Sequence, residues 1–216
     1  MQESCEGCGQ CCKQGGPALH HDDLELVRSG KIPMSSLITI RKGELVTNPL
    51  IGGIQPVAVE LVKISGSGRQ WDCCYYSGTK GCTIYEERPQ ACRALKCWNT
   101  EEILALIEKD TLSRTDILPE DHLLLPIIRE HERIFPCSDL QQVYNKRQKI
   151  SQAMKNELET RANDEMRFRM RIVEKFQLKL CDELFCFGRP IFQLLQALGV
   201  RVSESASTEI RLHWDR

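Results

Sequence analysis

The stretch CEGCGQCC occupies residues 5–12 and places four cysteines within eight residues. Every other residue in it is small or polar, so it has no apolar pattern of its own to fold around. A C-x2-C spacing puts two sulfurs on one side of a tight loop, within reach of one metal ion. Gly7 and Gly9 lie between the cysteines and allow the backbone to turn tightly. The stretch therefore predicts a loop that wraps around a metal.

Cysteine is unusually frequent, with 12 in a chain of 216 residues. A chain of this length buries roughly 70% of its unfolded surface and does not need disulfides to fold. The N-terminus has neither the basic stretch nor the apolar core of a secretion signal, which predicts a cytoplasmic, reducing location. Clustered cysteines in that setting favour thiolate ligation over a disulfide framework.

Charge and hydropathy exclude several other classes of protein. The net charge is −1, which gives no argument for nucleic acid binding. No apolar run approaches about 18 residues, so no membrane span is expected. With 41% hydrophobic and 27% charged residues, the composition is that of a soluble globular protein.

The sequence predicts an α+β protein, mainly helical, with a small cysteine-rich metal-binding head packed on a helical body. Residues 57–64 are rich in β-branched side chains, and WDCCYY at 71–76 has the composition of a returning strand. The two segments predict a β-hairpin in the head. The head is assigned to residues 1–99 and the helical region to residues 100–216, packed together as one unit.

Helix-start and helix-stop residues place the remaining elements. Apolar side chains recur at helical spacing, and capping residues or proline precede several of these segments. The expected elements are a helix from Asp22 or Asp23 to Gly30, one opening near Pro89, one from Asn99, one or two long helices over 139–187, a helix in PIFQLLQALG and a strand in TEIRLHW. Residues 119–137, with three prolines, predict no single element.

A second group of cysteines, at 73–97, supplies the nearest further ligand candidates. The first cluster lacks the fourth cysteine and proline of a bacterial ferredoxin, so it needs ligands from elsewhere in the chain. Cys73 and Cys74 are adjacent in a predicted strand and point to opposite faces, so they should not share one metal. Cys92 and Cys97 are five residues apart in a predicted helix and also point in different directions.

These residues together resemble a known family. The pattern Cys5-x2-Cys8-x2-Cys11-Cys12, followed by Cys73-x8-Cys82 and IYEERPQACR at 84–93, is similar to the YkgJ-type CxxCxxCC cysteine-cluster domain, described as a zinc- or iron-chelating module. The resemblance covers about residues 5–97. It implies a ligand role for Cys5, Cys8, Cys11, Cys12, Cys73, Cys82 and Cys92. Cys97 is a further candidate, and Cys74 falls outside the matched positions.

The choice of metal stays open between iron and zinc. Thiolates are soft ligands that suit both iron–sulfur clusters and zinc. Seven or more ligands exceed what one ion takes, and they suit a cluster with spare thiols, two sites or a polynuclear centre. The adjacent Cys11 and Cys12 favour the last two. Iron, as iron–sulfur such as [4Fe–4S], is favoured, and zinc is the alternative. Arg88 and Arg93, beside the second cysteine group, are expected to offset negative charge or to donate hydrogen bonds to sulfur.

Other candidate residues have simpler interpretations. Cys137 follows a Phe-Pro pair and is a further ligand candidate from the helical region. Cys181 and Cys186 lie in an apolar helical stretch and are expected in the core. His20 and His21 are expected to be surface or capping residues rather than ligands.

Three functions fit a cysteine cluster that binds metal. The first is an electron-transfer or accessory protein that carries an iron–sulfur or iron centre and serves a redox or maturation partner protein. The second is a structural zinc domain that presents helices to a partner. The third is a metal-dependent protein-modifying enzyme. Related clusters occur in flagellin lysine methylases, but this chain has no convincing glycine-rich loop for the methyl donor.

Overall fold

The structure is a computed structural model that describes residues 5–48, 52–138, 140–146, 149–204 and 209–214. It contains two compact units, each made of two separate stretches of the chain. Unit 1 comprises Met1–Ile40 and Glu60–His122, and unit 2 comprises Arg41–Val59 and Leu123–Arg216. The domain boundary expected after residue 99 stays a prediction.

Along the described residues, one α-helix is followed by eight short strands, then by eight α-helices and finally by two strands. The strands are β1 (Leu37–Ile40), β2 (Leu45–Asn48), β3 (Gly53–Pro56), β4 (Leu61–Ile64), β5 (Gly66–Ser67), β6 (Asp72–Cys73), β7 (Tyr76–Ser77), β8 (Gly81–Cys82), β9 (Arg201–Glu204) and β10 (Ile210–His213). The α-helices are α1 (Leu24–Arg28), α2 (Gln90–Ala94), α3 (Glu101–Ala105), α4 (Arg114–Ile117), α5 (Leu125–Ile134), α6 (Leu140–Lys146), α7 (Gln152–Phe176), α8 (Leu180–Phe187) and α9 (Ile191–Gln196). Helices make up 44% of the described residues and the strands form small antiparallel pairs, so the predicted α+β class is confirmed.

Unit 1 is built around the antiparallel pair of β1 and β4, in which Ile40 lies opposite Leu61. All four residues of β1 are buried. Leu19 lies along β4 as well, and its backbone N donates a hydrogen bond of 2.8 Å to the carbonyl of Val62. The backbone N of Leu112 in turn donates to the carbonyl of Leu19 at 2.9 Å. These apolar residues form the support on which the loops of unit 1 rest.

The hairpin predicted over residues 57–76 is confirmed only around its turn, where β5 pairs with β6, and is wrong for residues 57–64. β4 covers only residues 61–64 and pairs with β1, whereas the following residues form two small hairpins, β5–β6 and β7–β8. Trp71 has a φ of +59°, a left-handed conformation that interrupts a strand. β1 offers a longer and fully buried partner, and strand pairing follows such side-chain packing more than local propensity.

Several predicted elements are confirmed. α1 lies in the segment expected for it, and the chain turns at Gly30 with a φ of +77°. Pro89 precedes α2, and the Asn99 Oδ1 accepts a hydrogen bond of 3.0 Å from the backbone N of Glu101, the first residue of α3. α9 and β10 also lie in their predicted segments, apart from residue 208, which is outside the described residues.

The region 139–187 contains three helices where one or two were expected. Only α7 is long among them, and residues 139 and 147–148 are outside the described residues. α5 lies within 119–137, with Pro126 in its first turn, where a missing N–H costs nothing. Across the described ranges, every helix is too short or too polar to cross a lipid bilayer.

Unit 2 has a core that is both aromatic and charged. The ring of His131, on α5, lies 5.0 Å from the ring of Phe187 and 5.6 Å from the ring of Phe168. Glu165, on α7, is fully buried beside these rings. Its carboxylate is 2.9 Å from His131 Nε2 and accepts a hydrogen bond of 2.8 Å from Arg169 Nη2.

Ion pairs hold the stretch Arg41–Val59 within unit 2. The buried Arg41 donates from Nε and Nη2 to the carboxylate of Glu132, at 2.9 and 3.0 Å. The buried Glu44 accepts a hydrogen bond of 2.9 Å from Arg189 Nε. Charged residues are rarely buried without partners, so these pairs explain how two charges from one short stretch can enter the core.

Candidate metal centre

The cysteine loop, residues 5–16, depends on glycine for its path. Gly7 and Gly9 have φ values of +68° and +73°, a region that glycine enters without strain. Cys11 then begins a single helical turn that runs from Cys12 to Gln14. The turn sets the Sγ atoms of Cys11 and Cys12 3.9 Å apart.

The cysteine loop lies directly on the small hairpins of unit 1. A Cβ atom added to Gly9 would lie 2.3 Å from ring atoms of Tyr76, on β7. The helical turn after Cys11 packs against β6, which ends at Cys73. The fold therefore brings the N-terminal cysteines next to the start of the second cysteine group.

Very short elements position each cysteine of the second group. Cys73 ends β6 and is buried, Cys82 ends β8, and Cys92 is in the middle of α2. Cys97 follows α2 and is exposed. Strands of two residues gain little from their own pairing, so the positions of Cys73 and Cys82 depend on neighbouring loops.

The thiols of the two groups lie close enough to act on one another. Burial, followed by the thiols of Cys11, Cys73 and Cys82, raises the pKa of Cys12 to about 12. Burial and the same neighbours, together with Cys12, raise the pKa of Cys92 to about 12. Like charges that approach each other disfavour the thiolate form. A metal cation would reverse this effect, because coordination replaces the proton on each thiol.

Cys97 extends the interacting thiols to the exposed part of the loop. Burial, then Cys11, Cys8 and Cys5, raises the pKa of the Cys97 thiol. The structure thus brings together eight of the predicted site residues within unit 1: Cys5, Cys8, Cys11, Cys12, Cys73, Cys82, Cys92 and Cys97. Their role as ligands stays a prediction.

The thiols of the two groups are neighbours, but they are not arranged around a common point as metal ligands are. All 12 cysteines are free thiols. Within the described parts of the chain, no group of three or more Cys, His, Asp or Glu side chains is arranged to hold a metal ion. Zinc–thiolate bonds are about 2.3 Å long, so binding requires the loop to close on the metal. The donor set itself fits both zinc and iron–sulfur, because both take thiolate sulfur.

Arg88 and Arg93 contact the backbone around α2. The Arg88 guanidinium lies 3.9 Å from the centre of the Tyr85 ring and donates a hydrogen bond of 2.8 Å to the Tyr85 carbonyl. Arg93 donates to the carbonyl of Arg88 at 2.7 Å and lies 3.8 Å from Asp23 Oδ1. These contacts brace the segment that carries Cys92. The predicted role of both arginines in tuning a metal centre stays a prediction.

Asp23 is a positioning residue that the sequence analysis missed. Its side chain is fully buried, and Oδ1 accepts a hydrogen bond of 2.7 Å from the backbone N of Gln90, the first residue of α2. Oδ2 accepts one of 3.0 Å from the backbone N of His20. Asp23 thereby joins α2, which carries Cys92, to the backbone at His20. Its sequence signal, an acidic residue at a helix start, indicates only a local cap.

Of the two histidines near the cysteine loop, His20 is a capping residue and His21 is a surface residue. His20 is buried at the start of the helical turn His21–Asp23, and its Nδ1 is 2.9 Å from the carbonyl oxygen of Lys109. His21 is exposed in the same turn. Both positions are explained by local structure in unit 1.

The remaining cysteines belong to unit 2. Burial raises the pKa of Cys137 to about 12, although the neighbouring Arg41 charge opposes this shift. Cys137 therefore has charged neighbours within its own unit, and its ligand role stays a prediction. Cys186 is buried, as expected for a core residue, and Cys181 is half-buried.

Comparison with known families identifies the cysteine-rich part of the chain. Residues 4–110 match the model of the CxxCxxCC family, which carries the description "Putative zinc- or iron-chelating domain". The matched range contains both cysteine groups and Asp23. Residues 4–110 are therefore a domain of the CxxCxxCC family, and metal binding is the activity that this match supports. Comparisons with curated proteins and with solved structures find no match.

Proposed function

We propose that the thiolates of unit 1 hold an iron–sulfur or iron centre, and that this centre serves electron transfer or an accessory role in maturation. The proposed ligands are Cys5, Cys8, Cys11, Cys12, Cys73, Cys82 and Cys92, joined by Cys97. One observation supports the proposal: the cysteine loop rests on the β5–β6 and β7–β8 hairpins, so two distant stretches that carry soft donors are neighbours in unit 1.

The exposure of the cysteine loop supports a role that involves a partner protein. Cys5, Cys8 and Cys97 are exposed, so a centre that they help to hold lies near solvent. Four thiolates leave a net charge of −2 on a [4Fe–4S]²⁺ core, and the positive charges of Arg88 and Arg93 on the α2 segment offset part of it. When bound, the centre would supply one-electron chemistry. The chain supplies its ligands, its charge balance and its access to a partner.

A structural zinc site is the second candidate, and the size of the hairpins favours it. β5 to β8 have two residues each, and an isolated two-stranded hairpin is at best marginally stable in water. A metal that ties the cysteine loop to these hairpins would contribute directly to the folding free energy of unit 1. Zinc performs this task without redox chemistry.

Anaerobic purification of the full chain, followed by iron, zinc and acid-labile sulfide analysis, distinguishes the two candidates. An iron–sulfur centre predicts a brown protein with equal iron and sulfide, and a broad visible absorption that air bleaches. A colourless protein with stoichiometric zinc would support the structural alternative and overturn the redox proposal. A chain that binds neither metal would overturn both.

Cys8→Ser and Cys181→Ser form a matched pair for this measurement. Cys8 is in the cysteine loop and Cys181 is half-buried in α8 of unit 2. Cys8→Ser is expected to lower the bound metal per chain, whereas Cys181→Ser is expected to leave it unchanged. Loss of metal from Cys181→Ser in a folded protein would mean that the ligand assignment is wrong.

A further inference from the structure

Two aromatic side chains of the small hairpins lie against glycines of the cysteine loop. Tyr76, on β7, covers Gly9, where its ring takes the space that a Cβ atom would need. Trp71, directly before β6, lies against Gly15, where a Cβ atom would be 3.6 Å from the Trp71 carbonyl oxygen and 3.8 Å from its Cδ1. The two contacts enclose residues 10–14, which contain the helical turn of the loop.

The exposure of the loop changes at these contacts. Residues 5–8 are exposed, whereas Gly9 is buried beneath the Tyr76 ring. Residues 13–14 are exposed as well, and the following Gly15 is half-buried. The two glycines are therefore points at which the cysteine loop packs onto the rest of unit 1.

Strand pairing connects each aromatic residue with a cysteine of the second group. Tyr76 lies opposite Cys82 across the β7–β8 hairpin. The indole of Trp71 lies over Gly66, where a Cβ atom would be 2.5 Å from the Trp71 Cγ. Gly66 in turn lies opposite Cys73 across the β5–β6 hairpin. Each ring therefore links one glycine of the cysteine loop to the strand pair that carries one cysteine of the second group.

The backbone conformation of Trp71 indicates that its side chain has a specific task. Its φ of +59° lies in the left-handed region, which bulky residues rarely enter. Such a conformation persists only where the surrounding contacts fix it. Glycine would adopt it without strain, but glycine has no ring to place over Gly66 and beside Gly15. The indole contacts therefore account for a tryptophan at a position whose backbone favours glycine.

We propose that Trp71 and Tyr76 are positioning residues of the metal centre, which hold the cysteine loop beside Cys73 and Cys82 before the metal binds. The inference rests on the proposed function and deepens it, because it names side chains that prepare the site without being ligands. A loop that is already held near its partners loses less conformational freedom on binding, so the affinity for metal rises.

The affinity of the reduced full chain for Zn²⁺, measured by competition with a chromophoric chelator, tests this role. Trp71→Ala and Tyr76→Ala are each expected to weaken Zn²⁺ binding by roughly 10- to 100-fold, the usual effect of losing a residue that orients ligands. The number of Zn²⁺ ions bound per chain at saturation is expected to stay that of the wild type, because every thiol remains. Cys82→Ser, which loses a proposed ligand, is expected to lower that number instead.

Further variants separate the contribution of the ring from that of the backbone. Trp71→Phe and Tyr76→Phe keep an aromatic ring and are expected to restore most of the affinity that the alanine variants lose. Trp71→Gly relieves the left-handed backbone but has no ring, so it is expected to bind Zn²⁺ as weakly as Trp71→Ala. Trp98→Ala is the matched control and is expected to bind as the wild type does. Trp98 is 41% exposed, against 43% for Trp71, and directly follows Cys97.

Hydrogen exchange of the metal-free chain adds a readout that does not depend on metal. In the loop, the backbone N of Lys13 donates to the carbonyl of Gly9 at 2.9 Å, and the backbone N of Gly15 donates to the carbonyl of Cys12 at 3.2 Å. Trp71→Ala and Tyr76→Ala are expected to speed exchange at residues 13–15, and Trp98→Ala is expected to leave it unchanged. Circular dichroism establishes that each variant is folded.

The possible outcomes separate the positioning role from metal binding itself. Wild-type affinity in either folded alanine variant would remove that residue from the role, and an equal loss in Trp98→Ala would overturn the role as a whole. Tight binding by Trp71→Gly would mean that the backbone alone suffices. A wild-type chain that binds no Zn²⁺, although both alanine variants speed exchange in the loop, would overturn the proposed metal binding and leave the packing intact. Exchange that neither variant changes would overturn the two contacts.

Discussion

Gly16 is the residue at which the cysteine loop passes closest to β4. A Cβ atom at this position would lie 2.3 Å from the carbonyl oxygen of Ile64 and 2.6 Å from the Ile64 Cβ. Contacts this close cannot be relieved by rotating a side chain, because one of the atoms is backbone. The absence of a side chain at Gly16 is thus a condition for the path of the loop.

Gly16→Ala is therefore expected to lower the free energy of unfolding by about 1–3 kcal/mol, as overpacking in a close contact does. Urea denaturation measures the change. Gly78→Ala is the control, because a Cβ atom there would meet nothing within 4 Å. Equal stability of the two variants would show that the loop does not pass over Ile64 as described.

Glu165 is the residue on which the charges of unit 2 converge. It is fully buried, and its Oε2 accepts a hydrogen bond of 2.6 Å from the backbone N of Ile191. Burial would raise the pKa of this carboxyl group, but the hydrogen bond from His131 and the charge of Arg169 hold the pKa well below its usual value. The carboxylate is therefore ionised in the core and balances the buried arginine.

Replacing Glu165 with Gln removes the fully buried counter-charge of Arg169, which then keeps only the carboxylate of Glu183, 3.2 Å from its Nη1. Glu165→Gln is expected to lower the free energy of unfolding by about 3–5 kcal/mol, the usual effect of removing one partner of a buried pair. Glu130→Gln is the control, because Glu130 forms an exposed pair with Arg133 on α5, and no measurable change is expected. Similar losses in the two variants, measured by urea denaturation, would contradict the importance of burial.

At the scale of elements, α7 supports the C-terminal strand through side chains. Asn163 donates from Nδ2 to the carbonyl of Ile210 at 2.9 Å, and its Oδ1 accepts from the backbone N of Ile210 at 2.8 Å. Glu159, one turn earlier, accepts from the backbone N of Leu212 at 2.8 Å. Two side chains of α7 thus satisfy backbone groups of β10 as a neighbouring strand would.

Asn163→Ala is expected to increase hydrogen exchange at Ile210 by roughly tenfold, because losing a hydrogen-bond partner there costs about 1–3 kcal/mol. Exchange followed by mass spectrometry measures the effect. Asn156→Ala, on the exposed side of the same helix, is expected to leave β10 unchanged. Unchanged exchange at Ile210 in Asn163→Ala would mean that β9 alone holds the strand.

The elements that the sequence predicted well are those with local signals. Gly30 allows a left-handed turn at a helix end, Pro89 suits a helix start, and Asn99 accepts a hydrogen bond at one, so α1, α2 and α3 could be predicted. The strand pairing could not be. β1 is buried along its whole length and lacks the alternation that indicates a half-buried strand, and its pairing with β4 is a non-local choice.

The candidate metal centre also has some features that the sequence predicted and others that it did not. Spacing within residues 5–12 indicated a metal-binding loop, because close neighbours in sequence are close in space. Association of Cys97 with the cysteine loop depends on where the chain leaves α2, which no spacing rule gives. Asp23 was missed for the same reason, since its partner Gln90 is 67 residues away along the chain.

At the scale of the whole molecule, one buried histidine gives the stability of the protein a pH dependence. Burial lowers the pKa of His131 from 6.5 to about 4, against the opposing hydrogen bond with Glu165. Arg41 and Arg169, also facing it, favour the neutral ring. The unfolded chain binds a proton near pH 6.5 that the folded chain takes up only near pH 4, so stability is lost as the pH falls between these values.

The contribution of His131 to this loss is about 2 kcal/mol between about pH 7.5 and pH 5. His131→Gln is expected to make the pH dependence of the free energy of unfolding shallower by that amount, whatever its effect at neutral pH. Urea denaturation at both pH values measures it, with His213→Gln as an exposed control. A pH dependence that His131→Gln leaves unchanged would contradict a neutral, buried imidazole.

Which residues belong to which unit could not be predicted from the sequence either. Arg41 and Glu44 have the appearance of surface residues, because charged side chains are seldom buried unless they are paired. Their partners Glu132 and Arg189 are 91 and 145 residues away along the chain. Residues 41–59 therefore belong to unit 2 through interactions that no local sequence pattern predicts.

The interruption of unit 1 by residues 41–59 has a consequence for synthesis on the ribosome. Translation adds about 5–20 residues per second, so Arg189 emerges roughly 7–30 s after Glu44. During that interval Glu44 has no access to the arginine with which it pairs in the folded protein. The last residue of unit 1 is made long before Arg189, so the nascent chain can complete its thiol-rich part while the other half still awaits its final helices.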